Sequence, residues 1–273
     1  MKKKTSFLII ILFIQAITSA AVQADRTVNV GVYQNKPLTF IEPNGRVRGF
    51  FIDVLENIAK KEDWNIHYTP GTWSQCLTNL KNGKIDILGV IAFSKERSKY
   101  FDYTYENFIT EWGQIYIGKG KEIESILDLK DKKIAVLQDD MHFLALKNVT
   151  RQLGVKCEFI EAFDYQDVLG IVESGKCDAG LVSHFYGIMY EGDYEIQRSP
   201  IILSPQKLYY ASRKDKNSDL LLILDRQLRK LKNDKHSVYY QSMNKWFGGR
   251  TRSVLPKWFK WIIACVVALL FLF

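Results

Sequence analysis

The chain has 273 residues, of which 47% are hydrophobic and 25% charged, a balance that excludes an intrinsically disordered protein. Its net charge of +8 lies mainly at the two ends, so the middle of the chain is close to neutral and we expect no nucleic-acid partner. The terminal cations are Lys2, Lys3, Lys4, Arg250, Arg252, Lys257 and Lys260. We interpret them as charges that flank membrane segments.

Residues 1–24 have the pattern of a secretory signal. Lys2–Lys4 precede the wholly apolar run Phe7–Ile14, and small residues follow as far as Ala24. This pattern predicts cleavage before Asp25, and an uncleaved anchor helix is the alternative. In both cases the bulk of the chain leaves the cytoplasm.

Strand-like and helical patterns then alternate in two successive units. The first unit has strands at 27–33, 65–68 and 87–93 and helices at 49–63 and 73–82. After an extended stretch at 114–118, interpreted as a connector, the second has strands at 133–137, 156–162 and 178–183 and helices at 141–153 and 165–174. A strand at 207–212 and helices at 218–232 and 238–247 complete the pattern.

Two βαβαβ units predict an α/β protein with two lobes and a cleft between the carboxyl ends of their strands. We predict that lobe 1 begins with residues 25–115 and that lobe 2 comprises residues 116–212. The helices within residues 213–247 are expected to return to lobe 1.

The last residues are apolar again. Trp261–Phe273 is a run of 13 residues, shorter than the roughly 20 needed to span a bilayer. Trp258, Phe259 and Trp261 resemble an interfacial aromatic belt. We predict a transmembrane segment over 257–273 that is cut short, and a hydrophobic tail docked on the surface is the alternative.

The cysteines and histidines indicate no metal site. Cys76, Cys157, Cys177 and Cys265 match no zinc or redox spacing, and no cofactor motif is present, so we expect neither a metal nor a cofactor. An exported compartment would permit a Cys157–Cys177 bridge, but we favour ordinary buried thiols. We expect His184 at the surface, with a position lining the cleft as the alternative.

A series of short motifs between Val28 and Phe247 resembles the family 3 periplasmic solute-binding proteins. The motifs are Gly31–Tyr33, Pro37–Phe40, Gly49–Asp53, Trp73 with Leu77 and Leu80, Gly83–Ile87, Ser94–Arg97, Phe101–Thr104, Leu129–Val136 and Gly175–Ala179. The resemblance implies a type II Venus-flytrap fold, whose lobes bind a small molecule in the cleft between them. It also implies chain crossings between the lobes near Tyr116 and Tyr209.

The resemblance implies that Arg97 holds a carboxylate of the ligand. The planar guanidinium suits this role because it can donate two parallel hydrogen bonds to one carboxylate. A surface arginine is the alternative. Trp73 and Tyr33 are implied walls of the pocket, with ordinary core packing as the alternative for each.

Several positions depart from the amino-acid-binding members. Ser183 stands where those members carry an aspartate for the ligand's ammonium group, and Val90 and Ala92 replace hydroxyl residues. Burying an ammonium without a partner costs several kcal/mol, roughly. An ordinary α-amino acid is therefore predicted to be a poor ligand.

Asp140 lies at the predicted start of a helix, where the resemblance implies glycine and small hydroxyl residues. It either caps the helix or faces the cleft and pairs with a donor group of the ligand. The predicted ligand is a small organic molecule with one anionic end for Arg97 and a donor-bearing end for Asp140. The complete predicted set is Arg97, Trp73, Tyr33, Ala92, Asp140 and Ser183.

Three functions remain open. The apolar run after Lys260 favours the ligand-sensing domain of a membrane protein, because it resembles the periplasmic part of sensor histidine kinases and diguanylate cyclases. Such a sensor would lie in the periplasm, anchored in the inner membrane, and could form a homodimer. A solute receptor for an ABC transporter is the second function. The third is a dehydratase resembling the cyclohexadienyl dehydratases, with Asp140 as its acid, but we predict that the chain is not an enzyme.

Overall fold

The structure is a computed structural model that describes residues 26–203 and 205–248. The predicted signal segment at 1–24 and the predicted membrane segment at 257–273 lie outside the described residues. Within the described ranges, no helix combines the length and the apolar character needed to cross a membrane.

The first lobe begins with strands and helices in alternation. In chain order they are β1 (Arg26–Val32), β2 (Phe40–Ile41), β3 (Val47–Arg48), α1 (Phe50–Lys61), β4 (Trp64–Pro70), α2 (Trp73–Asn82), β5 (Ile87–Ala92), β6 (Phe101–Tyr103) and β7 (Ile109–Glu111). The β2–β3 pair forms a small separate hairpin.

The second lobe follows, and the chain then returns to the first. The second-lobe elements are β8 (Gly113–Gly118), β9 (Lys133–Leu137), α3 (Met141–Gln152), β10 (Glu158–Ala162), α4 (Tyr165–Glu173), β11 (Ala179–Ser183), α5 (His184–Tyr190) and β12 (Ile196–Ile202). The returning elements are β13 (Gln206–Arg213), α6 (Ser218–Asn233) and α7 (Val238–Phe247).

Each lobe has one main sheet, and the two sheets confirm the predicted two-lobed α/β architecture. The first has the order β4-β1-β5-β13-β6, with β7 also pairing with β13, and its β4, β1 and β5 are parallel. The second has the order β10-β9-β11-β8-β12, and its β10, β9 and β11 are parallel. Parallel strands place their carboxyl ends at one edge of each sheet, where the two lobes face each other.

Local sequence signals fix several of these elements. Thr72 precedes the first residue of helix α2 and caps it. The Thr72 hydroxyl accepts a hydrogen bond from the backbone N–H of Gln75, and the Gln75 side-chain oxygen accepts one from the backbone N–H of Thr72. It ends at Gly83, whose φ of 73° is the left-handed conformation that glycine adopts at helix ends. All six residues of β5 are buried, as expected for a central strand with both faces covered.

The two crossings between lobes differ from those predicted at Tyr116 and Tyr209. The chain leaves the first sheet after Glu111 and enters the second at Gly113, so the segment interpreted as a connector is the inner strand β8. The strand β13, predicted within lobe 2, pairs with β5 in the first lobe. The boundaries of 115 and 212 were therefore wrong, because the pattern of a strand does not reveal which sheet it joins.

The helices α6 and α7 pack on the first lobe. Leu220, Leu224 and Leu228 of α6 lie in one buried cluster with Val28 and Phe50. One of the other two buried clusters surrounds α2 and extends into the second lobe. The remaining cluster lies within the second lobe.

The end of α7 contacts both lobes. The Phe247 ring lies 5.4 Å from the ring of Phe50 in α1 and 4.4 Å from the ring of Phe185 in α5. The last described helix therefore packs against an element of each lobe.

Asp53 of α1 accepts hydrogen bonds from α7 and so links the two helices. Its Oδ2 accepts from the Ser242 hydroxyl at 2.7 Å and from Lys245 Nζ and Trp246 Nε1 at 2.8 Å. Burial would raise the pKa of the Asp53 carboxyl, but these donors outweigh it and the pKa is lowered. The carboxylate is thus stabilised in its charged form.

An Asp53→Ala variant is expected to lose about 2 kcal/mol of unfolding free energy at neutral pH, because three donors lose their acceptor. Since the folded pKa is lowered, this contribution exists above the unfolded pKa of about 3.9 and is lost as pH falls through the folded value. Urea unfolding at pH 7 and near pH 3 measures both effects. The exposed Asp193→Ala is the control; an equal loss in both variants would contradict the assignment.

The three cysteines within the described ranges are free thiols: Cys76 and Cys177 are buried and Cys157 is partly exposed. The predicted burial is therefore right for Cys177 and wrong for Cys157, whose thiol is partly exposed. Cys265 lies outside the described residues.

Candidate functional site

The candidate site is a small cavity between the lobes, at the carboxyl ends of the parallel strands. Its lining residues are Tyr33, Asn35, Trp73, Val90, Ala92, Arg97, Glu111, Leu137, Asp140, Met141, His142, Tyr165 and Leu208. The volume is about 20 Å³, which is room for about one water molecule. A ligand of amino-acid size can therefore enter only if the lobes separate or the lining side chains move.

Five of the six predicted site residues line this cavity, namely Tyr33, Trp73, Ala92, Arg97 and Asp140. Ser183 lies behind the lining and contacts the lining residue Glu111. The structure thus brings the predicted set together, and ligand contact by each residue stays a prediction.

Arg97 reaches from the first lobe to the second. Its Nη1 donates to the Ala92 carbonyl at 3.2 Å, and its Nη2 donates to the Asp139 carbonyl at 2.6 Å. The Trp73 ring lies under the guanidinium, with its centroid 5.3 Å away, which is within cation–π range. Both hydrogen-bond acceptors are neutral carbonyls, and the carboxylates of Asp140 and Asp139 act on the guanidinium only through their charge.

Asp139 is the second-lobe end of a contact that we call the Asp139 latch. The Asp139 carbonyl, which accepts from Arg97, also accepts from the Trp73 indole N–H at 3.1 Å. The Asp139 carboxylate accepts from the Ser74 hydroxyl at 2.6 Å. The φ of Asp139 is 57°, a left-handed conformation that aspartate tolerates better than most residues. Three first-lobe side chains therefore hold this turn.

Tyr33, Trp73 and Val90 form a wall of the cavity. The rings of Tyr33 and Trp73 lie 4.8 Å apart, and the Tyr33 hydroxyl donates to the Val90 carbonyl at 3.3 Å. Val90 has a φ of 60°, which is rare for a β-branched residue and costs about 1–3 kcal/mol. Burial raises the pKa of Tyr33 far above its usual value, so its hydroxyl stays protonated.

Asp140 caps α3, as the capping interpretation predicted. Its Oδ1 accepts from the backbone N–H of His142 at 3.2 Å, and its Oδ2 accepts from the Tyr165 hydroxyl at 3.0 Å. Asp140 also lines the cavity and is 8% exposed. Capping and a position at the cavity are therefore compatible.

Glu111 changes the argument about the ligand's ammonium group. Its carboxylate is buried at the cavity and accepts a hydrogen bond from the Ser183 hydroxyl. The sequence argument assumed that Ser183 leaves this region without a negative charge. That premise was wrong, because the end of β7 supplies a carboxylate next to Ser183.

Two histidines lie beside Glu111, and their pKa values shift in opposite directions. Burial would lower the pKa of His142, but the charge of Asp140 and the contact and charge of Glu111 outweigh burial, so the pKa is raised. For His184 burial dominates and lowers the pKa to about 4. His142 therefore carries the proton more readily than His184.

His184 is buried rather than at the surface as predicted. Its ring stacks on Trp112 at a centroid distance of 3.5 Å, and its backbone N–H donates to the Trp112 carbonyl at 3.0 Å. These contacts cover Trp112, the residue between β7 and β8.

The sequence analysis missed Glu111, His142, Asn35 and Tyr165. Glu111 had a weak signal, because it is an acidic residue in phase with the inward positions of a short strand. His142 follows the capping residue by two positions and gave no pattern of its own.

Two α/β lobes, two crossings and a polar cavity between strand ends define the periplasmic-binding-protein fold. The family model for bacterial extracellular solute-binding proteins, family 3, matches residues 28–145. The predicted resemblance to this family is confirmed.

Curated relatives share this resemblance. The probable amino-acid-binding protein YxeM of Bacillus subtilis is 29% identical over 165 residues, which cover 59% of this chain and 61% of that protein. The L-cystine-binding protein TcyJ of Escherichia coli is 25% identical over 217 residues, covering 78% of this chain and 79% of that protein. The chain thus spans about three fifths of the length of YxeM.

Solved structures agree with the fold. An ancestral arginine-binding protein bound to glutamine is 27% identical with a TM-score of 0.73, and the match covers 82% of this chain and 98% of that one. A histidine kinase sensor domain with similarity to periplasmic binding proteins is 23% identical with a TM-score of 0.72, covering 82% and 97%. The second likeness concerns the fold alone.

Proposed function

We propose that the chain binds a small solute of the amino-acid type between its lobes, with Arg97 as the partner of the solute's carboxylate. The observation that carries this proposal is the Arg97 guanidinium at the cavity, hydrogen-bonded to neutral carbonyls. The names of the relatives support the ligand class, since YxeM and TcyJ are described as binding amino acids and cystine.

Calorimetric titration of the purified full-length chain tests this proposal. The probes are L-glutamine, L-arginine and L-cystine, with succinate as a carboxylate without an amine and putrescine as an amine without a carboxylate. We expect heat of binding from at least one amino acid and none from putrescine. Binding of putrescine alone would contradict a carboxylate site at Arg97.

The same site can serve transport or sensing, and the relatives favour transport. One relative, PatH of Vibrio harveyi, is described as a putative amino-acid ABC transporter-binding protein. We therefore propose a periplasmic solute receptor as one role, with a permease as partner. A permease gene adjacent to that of the chain would support it.

Sensing is the second role, and one specific observation supports it. The helix α7 packs against both lobes through Phe247, so a change in the angle between the lobes would reach the residues that follow. We propose that the apolar stretch at 257–273 anchors such a sensor in the inner membrane. An open reading frame continuing past Phe273 into a cytoplasmic signalling domain would support this role, and a stop codon there would contradict it.

Catalysis is not part of the proposal. The dehydratase alternative needs an acid that can release a proton to the substrate. Asp140, the acid suggested by the sequence, instead accepts hydrogen bonds from His142 and Tyr165. Incubation of the chain with prephenate should give no product, and formation of phenylpyruvate would contradict this part.

A further inference from the structure

Glu111 is a buried carboxylate at the crossing between the lobes. It ends β7, where it pairs with Gln206 in the first-lobe sheet, and β8 in the second sheet begins two residues later. It is 4% exposed and lines the same cavity as Arg97. A charge buried this deeply is costly unless it is paired. The role of the Glu111 carboxylate therefore depends on the groups that contact it.

The partners of Glu111 come from the second lobe. Oε2 accepts from the Ser183 hydroxyl, and Oε1 lies 3.5 Å from Nε2 of His142. A carboxylate offers about four acceptor positions, so these two contacts leave room for another donor. The carboxylate can accept a hydrogen bond from the ligand without losing Ser183.

Two polar atoms of the lining strengthen this interpretation. Within the described part of the chain, Oδ1 of Asn35 and Nδ1 of His142 are buried without a hydrogen-bond partner. Such atoms are costly to bury, and both belong to residues that line the cavity. Asn35 Oδ1 is an acceptor, so it suits the same kind of donor as Glu111.

We propose that Glu111 receives the cationic group of the ligand, so that the ligand's two charges are divided between Arg97 and Glu111. This inference rests on the proposed function, because Arg97 must hold the carboxylate. The ligand class is then a zwitterionic α-amino acid rather than a simple organic acid. Ser183 is a positioning residue, which orients the Glu111 carboxylate.

The ligand's ammonium group competes with protonated His142 for the charge of Glu111. The charged or titratable groups facing His142 are Glu111 from β7, Asp140 before α3, Arg97 from the first lobe and His184 from α5. The acidic groups raise the pKa of His142 and Arg97 lowers it. An ammonium beside Glu111 offsets the acidic charge, so binding releases a proton and affinity increases with pH.

Matched ligand pairs test the inference. L-Glutamine is compared with 4-carbamoylbutanoate, and L-arginine with 5-guanidinopentanoate, since each analogue lacks only the α-amino group. The wild-type chain is expected to prefer the amino acid of at least one pair by about 30-fold or more. In Glu111→Gln this preference should disappear while affinity for the analogue changes by less than about threefold.

Ser183→Ala is the matched variant, because it removes the hydroxyl partner and keeps the carboxylate. It should reduce the preference for the amino acid without abolishing it, because the carboxylate remains but loses the hydroxyl that orients it. If Glu111→Gln and Ser183→Ala weaken the amino acid and its analogue equally, Glu111 acts only in the structure and the inference is overturned. Thermal unfolding of each variant checks folding, and Asp193→Ala serves as an exposed control.

A pH series supplies a readout that a structural role would not change. Wild-type affinity for the amino acid should rise between about pH 6 and pH 8, and affinity for the analogue should not. The rise should disappear in His142→Gln. If the wild-type affinity for the amino acid does not change with pH, the proposed competition between the ligand's ammonium group and protonated His142 is overturned.

The possible failures are distinguishable. If the wild-type chain binds an amino acid and its analogue equally well, the inference about Glu111 falls while the carboxylate site at Arg97 stands. If it binds neither member of either pair and does not bind L-cystine, the proposed function falls, and the inference falls with it.

Discussion

An Arg97→Ala variant is expected to bind its amino-acid ligand about 30-fold or more weakly than the wild-type chain, because truncating one partner of a buried charge pair costs about 2 kcal/mol or more. The loss has two sources. The ligand carboxylate loses its positively charged partner, and the first lobe loses the hydrogen bond to the Asp139 carbonyl. Calorimetry with L-glutamine and L-arginine measures the change.

Arg229→Ala is the control for this prediction. The Arg229 side chain is 61% exposed and pairs with Glu106 at the surface, so its removal should change affinity by less than about twofold. Arg97→Lys separates charge from geometry, since lysine keeps the charge but cannot make the two parallel hydrogen bonds. Unchanged affinity in Arg97→Ala would show that the guanidinium does not bind the ligand.

A Phe51→Ala variant is expected to lose about 3–5 kcal/mol of unfolding free energy. Phe51 is 1% exposed, and its ring lies 5.0 Å from the ring of Tyr210 and 5.8 Å from that of Phe108. It also covers Gly89, where an added Cβ would lie 1.8 Å from a ring carbon. Removing the ring therefore opens a cavity between α1 and the first sheet. Thermal unfolding should show a fall in Tm on the order of 10 °C.

Leu222→Ala is the matched control, because Leu222 is 60% exposed on α6. It should change the unfolding free energy by no more than about 0.5 kcal/mol. Equal stability losses in Phe51→Ala and Leu222→Ala would mean that Phe51 does not contribute to the core in the way its packing indicates.

Much of the fold could be predicted because local signals agree with it. The bounds of α2, β9 and α7 match the predicted ranges 73–82, 133–137 and 238–247. Capping residues and continuous apolar runs determine such elements locally. The strands β7 and β12 and the helix α5 were missed, since they are short or interrupted by polar residues. The placement of β13 in the first sheet depends on pairing across more than 100 residues, which no local pattern records.

The site was predictable only in part, for a similar reason. Arg97 lies in a recognisable motif directly after a buried strand, and Asp140 occupies a capping position that sequence rules describe. Glu111 meets Ser183 only because the chain crosses between lobes at Trp112 and β11 pairs with β8. Their separation of 72 residues hides this contact from the sequence. The argument against an ammonium-bearing ligand failed at this point.

The Asp139 latch has a consequence for how strongly the protein can respond to its ligand. Contacts made by Trp73, Ser74 and Arg97 hold the lobes together around a cavity with room for about one water molecule. Wherever entry of a larger ligand separates the lobes, these hydrogen bonds must break, and the free energy of breaking them lowers the apparent affinity. The latch thus sets a threshold that the ligand's own contacts must exceed.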